Sequence, residues 1–246
     1  FTEAYESIIQ TSVADEIQEY ELVGSWEDSK SYWVYYRLSK ARYNQIKEEQ
    51  KRKAISNAVD FYKRARQSEQ VGNRVNALSF YLSAFASLEK YLAEAIKVNY
   101  EGNEILLVNE IYASIQAILN KVALSTPVTE LYVNRRLSNG QDIAVSARYT
   151  DTQNLAGMLP LKAFFEKGAG DIFPSYKTND RGEAKILLTR IDSKEAQQTL
   201  VIKPDIMVLA GKEPSPVFEL VTSRLTLPTA RVILKVKRPL VYVTSD

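Results

Sequence analysis

Four sets of residues in this 246-residue chain have types and spacings that could do chemistry. Ser87 and Lys90 stand in the S-x-x-K pattern, in which a lysine close to a serine activates it for acyl transfer. The carboxylates Glu16, Glu19, Glu21, Glu27 and Asp28 crowd one short stretch, and a glycosidase needs two such groups. Asn179, Asp180 and Glu183 offer the clustered oxygens that a calcium ion requires. Trp26, Trp33 and Tyr35 are the candidate binding or packing aromatics, since a flat ring with a polar tip suits a sugar face or a protein surface.

Each set also has a plainer reading. The companions of a serine acyl-transfer site are missing: there is no S-D-N, and Lys177-Thr178-Asn179 lacks the glycine of K-T-G. Ser87 also precedes Leu88 in an apolar helical seam, which makes the match one of chance. Glu19 and Glu21 alternate with Tyr20 and Leu22, as on the solvent face of a strand. Asn and Asp favour turns for conformational reasons. The aromatics fit core packing beneath a helix better than an open platform. No glycine-rich phosphate loop of either common form is present.

Histidine and cysteine are both absent. This removes the commonest general base near neutral pH, the thiolate nucleophile, disulfides and the usual zinc or copper ligands. Catalytic, cofactor-binding and metal-binding residues are therefore all expected to be none, and the chain reads as a non-enzyme. The net charge of +2 is far from the strong basic patch of a nucleic-acid binder, and the Lys47–Lys53 run mixes both signs. No apolar run approaches the ~18–20 residues that cross a bilayer.

The elements that must position these residues change period along the chain. Ala4–Asp15 reads as a short helix. Glu16–Trp26 and Tyr32–Leu38 read as a hairpin around the polar turn 27–30, with aromatics on both faces of its second strand. Because a lone hairpin is marginal in water, it is expected to be covered by a helix or to be the end of a truncated α/β domain. Lys40–Gln70 is rich in helix formers, with Ile55, Val59 and Tyr62 on one stripe. Leu78, Tyr81, Phe85, Leu88, Leu92 and Ala95 make a heptad seam that predicts a helix over Arg74–Val98. Val108, Ile111, Ile115, Ile118 and Val122 predict another over Glu104–Leu124, with Asn103 as N-cap. After Ser125-Thr126-Pro127 the period becomes that of strands: Leu131–Leu137, Asp142–Tyr149, Leu159–Phe165, Glu183–Thr189, Gln198–Val208, Val217–Val221, Ala230–Lys237 and Leu240–Thr244. Asn139-Gly140, residues 168–170, 179–182 and the Pro214/Pro216 pair punctuate them.

Three stretches resemble known families. Gly72, Ala77, Leu78, Tyr81 and Ala84, with Ala65 in the preceding helix, resemble one tetratricopeptide-like unit, whose small alanines let two helices approach. Leu159-Pro160-Leu161, Ala163 and Phe165, followed by Thr178, Asp180-Arg181-Gly182 and Ala184, resemble the strand–turn–strand pattern of bacterial immunoglobulin-like domains. Trp26-Glu27-Asp28 and Tyr32-Trp33-Val34-Tyr35-Tyr36-Arg37-Leu38, leading into a helix, are similar to the closing hairpin of lipoprotein-20-like envelope lipoproteins. That last resemblance implies an exported, lipid-anchored protein whose anchoring cysteine lies upstream of Phe1.

The expected fold is thus α+β and multidomain: a β-hairpin element (1–40), a three-helix antiparallel segment (41–125) and an Ig-like antiparallel β-sandwich (126–246). The expected role is a non-enzymatic cell-envelope scaffold with a protein or glycan partner and no nucleic-acid partner. It has no transmembrane segment, and the hairpin's strand edge makes it a candidate homodimer. The alternative is the carbohydrate-binding accessory region of a larger enzyme. Since the usual metal ligands are absent, a chelator is expected to leave the melting temperature unchanged. A fall of several degrees would bring calcium back at Asn179–Glu183.

Overall fold

A computed structural model describes residues 21–27, 30, 32–134, 136–173, 175–211 and 215–237. The helix expected at Ala4–Asp15 and the strand expected at Leu240–Thr244 lie outside the described residues. The chain runs as β1 (Glu21–Glu27), β2 (Tyr32–Arg37), α1 (Lys40–Gln70), α2 (Arg74–Ser87), a 3-10 turn (Glu89–Tyr91), β3 (Lys97–Tyr100), β4 (Asn103–Leu106) and α3 (Leu107–Asn120). There follow β5 (Val122–Ser125), β6 (Glu130–Val133), β7 (Arg136–Tyr149), β8 (Pro160–Lys167), β9 (Gly170–Ile172), β10 (Tyr176–Lys177), β11 (Glu183–Ile191) and β12 (Gln197–Pro204). Two short helices, α4 (Ile206–Ala210) and α5 (Pro216–Thr222), precede β13 (Ala230–Val236). The class is α+β, as expected.

Local chemistry explains most boundaries. Ser39 caps α1 by accepting from the Arg42 N–H at 3.2 Å. Asn73 caps α2 in the same way through Asn76, and Gly72 takes the left-handed conformation between the two helices. Three expected spans are corrected. The second helix stops at Ser87 instead of Val98, because Glu101 and Gly102 both adopt positive φ and close a tight β3–β4 hairpin. A two-residue turn of that hand matches strand twist, so Tyr100–Asn103 is a hairpin turn rather than a helix connection. Asn103 is consequently a strand residue and not the cap of α3, which begins at Leu107. The third helix ends at Asn120, and Val122 starts a strand that pairs with β7.

The strands expected after residue 130 also differ in three places. Asn139-Gly140 is no chain reversal: both lie inside the long strand β7, where Gly140 takes a φ of 72°. Pro204 ends β12, and Asp205 then caps α4 through the Met207 and Val208 N–H groups. Val217–Val221 is helical. Ser215 accepts from the Phe218 N–H, and Pro216 occupies the first turn of α5. Serine followed by proline is a helix start, and it outweighs the β-propensity of the residues that follow.

Two sheets follow from the ladders. One has the order β10-β8-β12-β13-β6, with β13 and β6 parallel; the other has the order β5-β7-β11-β9. Their alternate residues, among them Ile143, Val145, Ile186, Leu188, Leu200, Ile202, Val232 and Leu234, are buried in one core. That core is continuous with the helices through Tyr81, Phe85, Ile111 and Ile115. Phe85 of α2 meets Phe218 of α5 edge-on at 6.2 Å between ring centres. The Ser79 hydroxyl donates to the Leu209 carbonyl of α4 at 2.6 Å. Gln116 of α3 exchanges two hydrogen bonds with Thr226.

Two residues of the Ig-like motif have clear work in this fold. Thr178, almost fully buried, donates through its hydroxyl to the Ala156 carbonyl and accepts from the Leu159 N–H, each at 2.8 Å. Gly182 has φ 67°, and a Cβ there would lie 2.3 Å from the Ala147 carbonyl oxygen. Gly182→Ala is expected to cost at least about 2 kcal/mol, because left-handed strain adds to a backbone clash. Urea unfolding checks this, and an unchanged midpoint would refute it.

A second test addresses the seam between α2 and β7. Arg74 grips both oxygens of Asp151, at 2.6 and 2.8 Å, while lying 4.7 Å over the Tyr149 ring. The Arg74 hydrogen bond, more than any other cause, holds the Asp151 carboxyl below its ordinary value. A depressed carboxyl contributes stability above the unfolded value of about 4 and loses it as pH falls through the folded value. Asp151→Asn is therefore expected to be less stable than the parent at neutral pH, with the gap closing in acid. A gap independent of pH would show that the ion pair contributes nothing.

Candidate functional site

The three aromatics marked in the sequence come together on one face of the β1–β2 hairpin. Trp26 stands opposite Trp33 in the ladder, and Gly24 stands opposite Tyr35. Side chains two apart on a strand share a face, so Trp33 and Tyr35 lie beside each other and Trp26 completes the group. The two indoles are stacked, with ring centres 6.0 Å apart and planes only 7° from parallel. Gly24 leaves the fourth position open, with no atom within 4 Å of where its Cβ would be. A shift of register between Leu22 and Gly24 bends β1 at this point.

These rings are not core. Trp26 is 57% exposed, Trp33 50% and Tyr35 52%. Leu22 and Tyr36, paired on the other face, are also more than half exposed. The aromatics, expected to pack beneath a helix, are about half exposed, and the helix expected at Ala4–Asp15 lies outside the described residues. Among the described residues, the hairpin's extensive packing is strand on strand. The Arg37–Glu21 ion pair, 3.0 Å, closes its open end, and hydrogen bonding to Glu21 holds the Arg37 guanidinium above its ordinary value. Gly24, which is not among the candidate residues of the sequence, belongs to the same face. A glycine in the middle of an aromatic strand was the available signal.

The other candidates have structural employment. Ser87 and Lys90 do line one open groove of about 380 Å³ between α1 and the 3-10 turn. The Ser87 hydroxyl, however, donates to the Ser83 carbonyl one turn back, at 2.9 Å, so its proton is committed within its own helix. The Asn179 side-chain oxygen accepts from both the Arg181 and Glu183 N–H groups, each at 2.9 Å. That is the turn-forming role of an Asx residue. Among the described residues, no three acidic groups gather as metal ligands. Glu21 is the ion-pair partner of Arg37, whereas Glu16, Glu19 and Asp28 lie outside the described residues.

No family model and no curated protein matches the chain. Solved structures match weakly. The D00-D0 domain of intimin aligns at 16% identity and TM-score 0.28, over 45% of each chain. WR4, a C. elegans member of the MSP family, aligns at 8% identity and TM-score 0.29, over 48% of this chain and 98% of its own. The N-terminal part of the bacterial S-layer protein SbsC aligns at 12% identity and TM-score 0.21, over 73% of this chain and 38% of its own. Likeness at these scores places the chain in no family. Among the described residues, no helix is long and apolar enough to cross a membrane.

Both tryptophans of the chain lie in the hairpin, so indole fluorescence reports on this face alone. The emission is expected to be that of hydrated indole and to be quenched readily by acrylamide. A blue-shifted, unquenchable signal would contradict the exposed arrangement.

Proposed function

We propose that this chain is a non-enzymatic scaffold of the bacterial cell envelope, which presents an Ig-like domain and binds a protein or glycan through Trp26, Trp33 and Tyr35. The observation that carries the binding role is the stacked, half-exposed Trp26–Trp33 pair beside Tyr35. Exposed aromatic clusters of this kind mark interaction surfaces, because leaving such large apolar rings in water has a cost that a partner relieves.

The Ig-like reading is supported by connectivity. The order β5-β7-β11-β9 corresponds to strands A, B, E and D of that architecture, and β8-β12-β13 to C, F and G. β6 then pairs in parallel with β13 as a continuation of the first strand. The envelope assignment rests on the similarity of residues 26–38 to lipoprotein-20-like hairpins, which also implies a lipid anchor upstream of Phe1. The second reading, a carbohydrate-binding region accessory to an enzyme, is favoured by the near-parallel indoles, since sugar faces stack on such rings. Among the described residues β1 and β2 pair with each other alone, and their outer edges would offer a strand template to a second copy of the chain.

Titration with envelope polysaccharide fragments, read by indole fluorescence, tests the site. Saturable quenching is expected, with about tenfold or greater weakening in Trp33→Ala, the loss typical of a central aromatic anchor. Sedimentation of the parent and of Tyr35→Lys, run alongside, reads self-association through the same face. A monomer in both, with no saturable quenching, would refute the binding role of the hairpin.

A further inference from the structure

The outward face of β8, β10 and β12 carries a charge arrangement that folding alone disfavours. Lys162 stands directly opposite Lys203 in the β8–β12 ladder. Cross-strand partners hold their Cβ atoms about 4.5–5.5 Å apart, and like charges in that relation repel. Lys177 pairs with Pro160 in the β10–β8 ladder, so strand alternation puts it on the same face, one side-chain step from Lys162. Lys162 and Lys203 are half-buried, which denies them part of the hydration that would screen the repulsion.

Among the described residues, none of the three lysines has an acidic partner. Two carboxylates of the adjoining segments, Asp205 and Glu166, have other partners. Asp205 caps α4, and Glu166 is held by Arg231 at 3.3 Å. Lys203 instead lies 4.9 Å over the ring of Phe164, which is 38% exposed. Burial, and then the neighbouring Lys162, push the Lys203 ammonium below its ordinary value. A bound anion would neutralise an uncompensated pair of this kind, since each ammonium group can donate several hydrogen bonds to it.

We propose that Lys162, Lys203 and Lys177 form a binding site for a single oxyanion, a phosphate or carboxylate group, flanked by the Phe164 ring. The site uses no hairpin residue, so it stands or falls independently of the role proposed for Trp26, Trp33 and Tyr35. The ring beside the cations would accommodate the apolar or sugar portion of whatever bears the anion.

The full chain, titrated with sodium phosphate and separately with sodium acetate at an ionic strength held constant with chloride, provides the test. Lysine side-chain NMR shifts are the readout. Saturable shifts confined to Lys162, Lys203 and Lys177 are expected. Saturation by phosphate alone assigns a phosphate group, and saturation by acetate assigns a carboxylate. Lys162→Gln with Lys203→Gln should weaken the apparent affinity about tenfold or more, whereas arginine at both positions should retain it. Should the double variant fail to fold, Lys162→Gln alone decides by the same criterion. Shifts spread evenly over the surface lysines, no saturation by either anion, or unchanged affinity in the glutamine variants would overturn the proposal.

Discussion

The requirement that α2 be covered on every side organises this molecule. A helix with one apolar stripe can lie on a surface, but one that is apolar all round must be enclosed. In α2, Ala77, Leu78, Tyr81, Leu82, Ala84 and Phe85 are all buried. α1 covers one side, where Ala58, Ala65, Ala77 and Ala84 are fully buried and present no bulk to hold the backbones apart. α3 covers another through Tyr112, whose ring centre lies 6.2 Å from that of Phe85. The remaining side is closed by α4 and α5, which interrupt the passage from β12 to β13. A loop insertion of the sheet region thus completes the core of the helical region.

Polar contacts fix the orientation that this enclosure leaves open. Tyr81 is fully buried, and its hydroxyl donates to the Glu69 carboxylate at 2.7 Å. A buried hydroxyl without an acceptor costs on the order of 1–3 kcal/mol, so the bond pins the end of α1 against α2. Burial is the main cause that raises the Tyr62 and Tyr149 hydroxyls to about 12 and drives Tyr81 upward as well. These tyrosines therefore stay neutral across the physiological range. Arg74 extends the same logic to β7, and Ser215, hydrogen-bonded to Glu89, ties the start of α5 to the 3-10 turn.

The hairpin obeys the opposite rule. Its rings are large enough to serve as core, yet about half of the surface of each remains exposed. Cross-strand stacking of Trp26 on Trp33 contributes about 0.5–1.5 kcal/mol beyond area burial, which supports the strands without hiding the rings. The facing Lys162 and Lys203 on β8 and β12 retain charge repulsion in the same way, where the proposed oxyanion would relieve it. Where the helices meet the sheets, buried apolar surface is tied down by specific hydrogen bonds, whereas exposed rings and facing lysines mark the two places where a partner is proposed.

What the residues determine unaided is whatever depends on neighbours along the chain. The length of α1 follows from an unbroken run of helix formers between Ser39 and Gly72, and the change to strand period after Pro127 follows from alternation. The turn at Asn179–Gly182 follows from one side chain that bonds its own backbone. Where a local signal was outvoted, a competing local signal was present: Glu101-Gly102 closes a hairpin inside an apparent heptad, and Ser215-Pro216 begins a helix inside an apparent strand. Tertiary structure alone decided the rest. Whether Trp33 is covered depends on where α1 leads, not on its strand. That Lys162 faces Lys203 depends on a register between residues 41 positions apart. The seam of α2 showed one apolar side in its heptads, but only packing revealed that Leu82 needed cover too. Periodicity encodes which face of an element is apolar, whereas register and enclosure are set by segments distant in sequence, and those pairings leave no local trace.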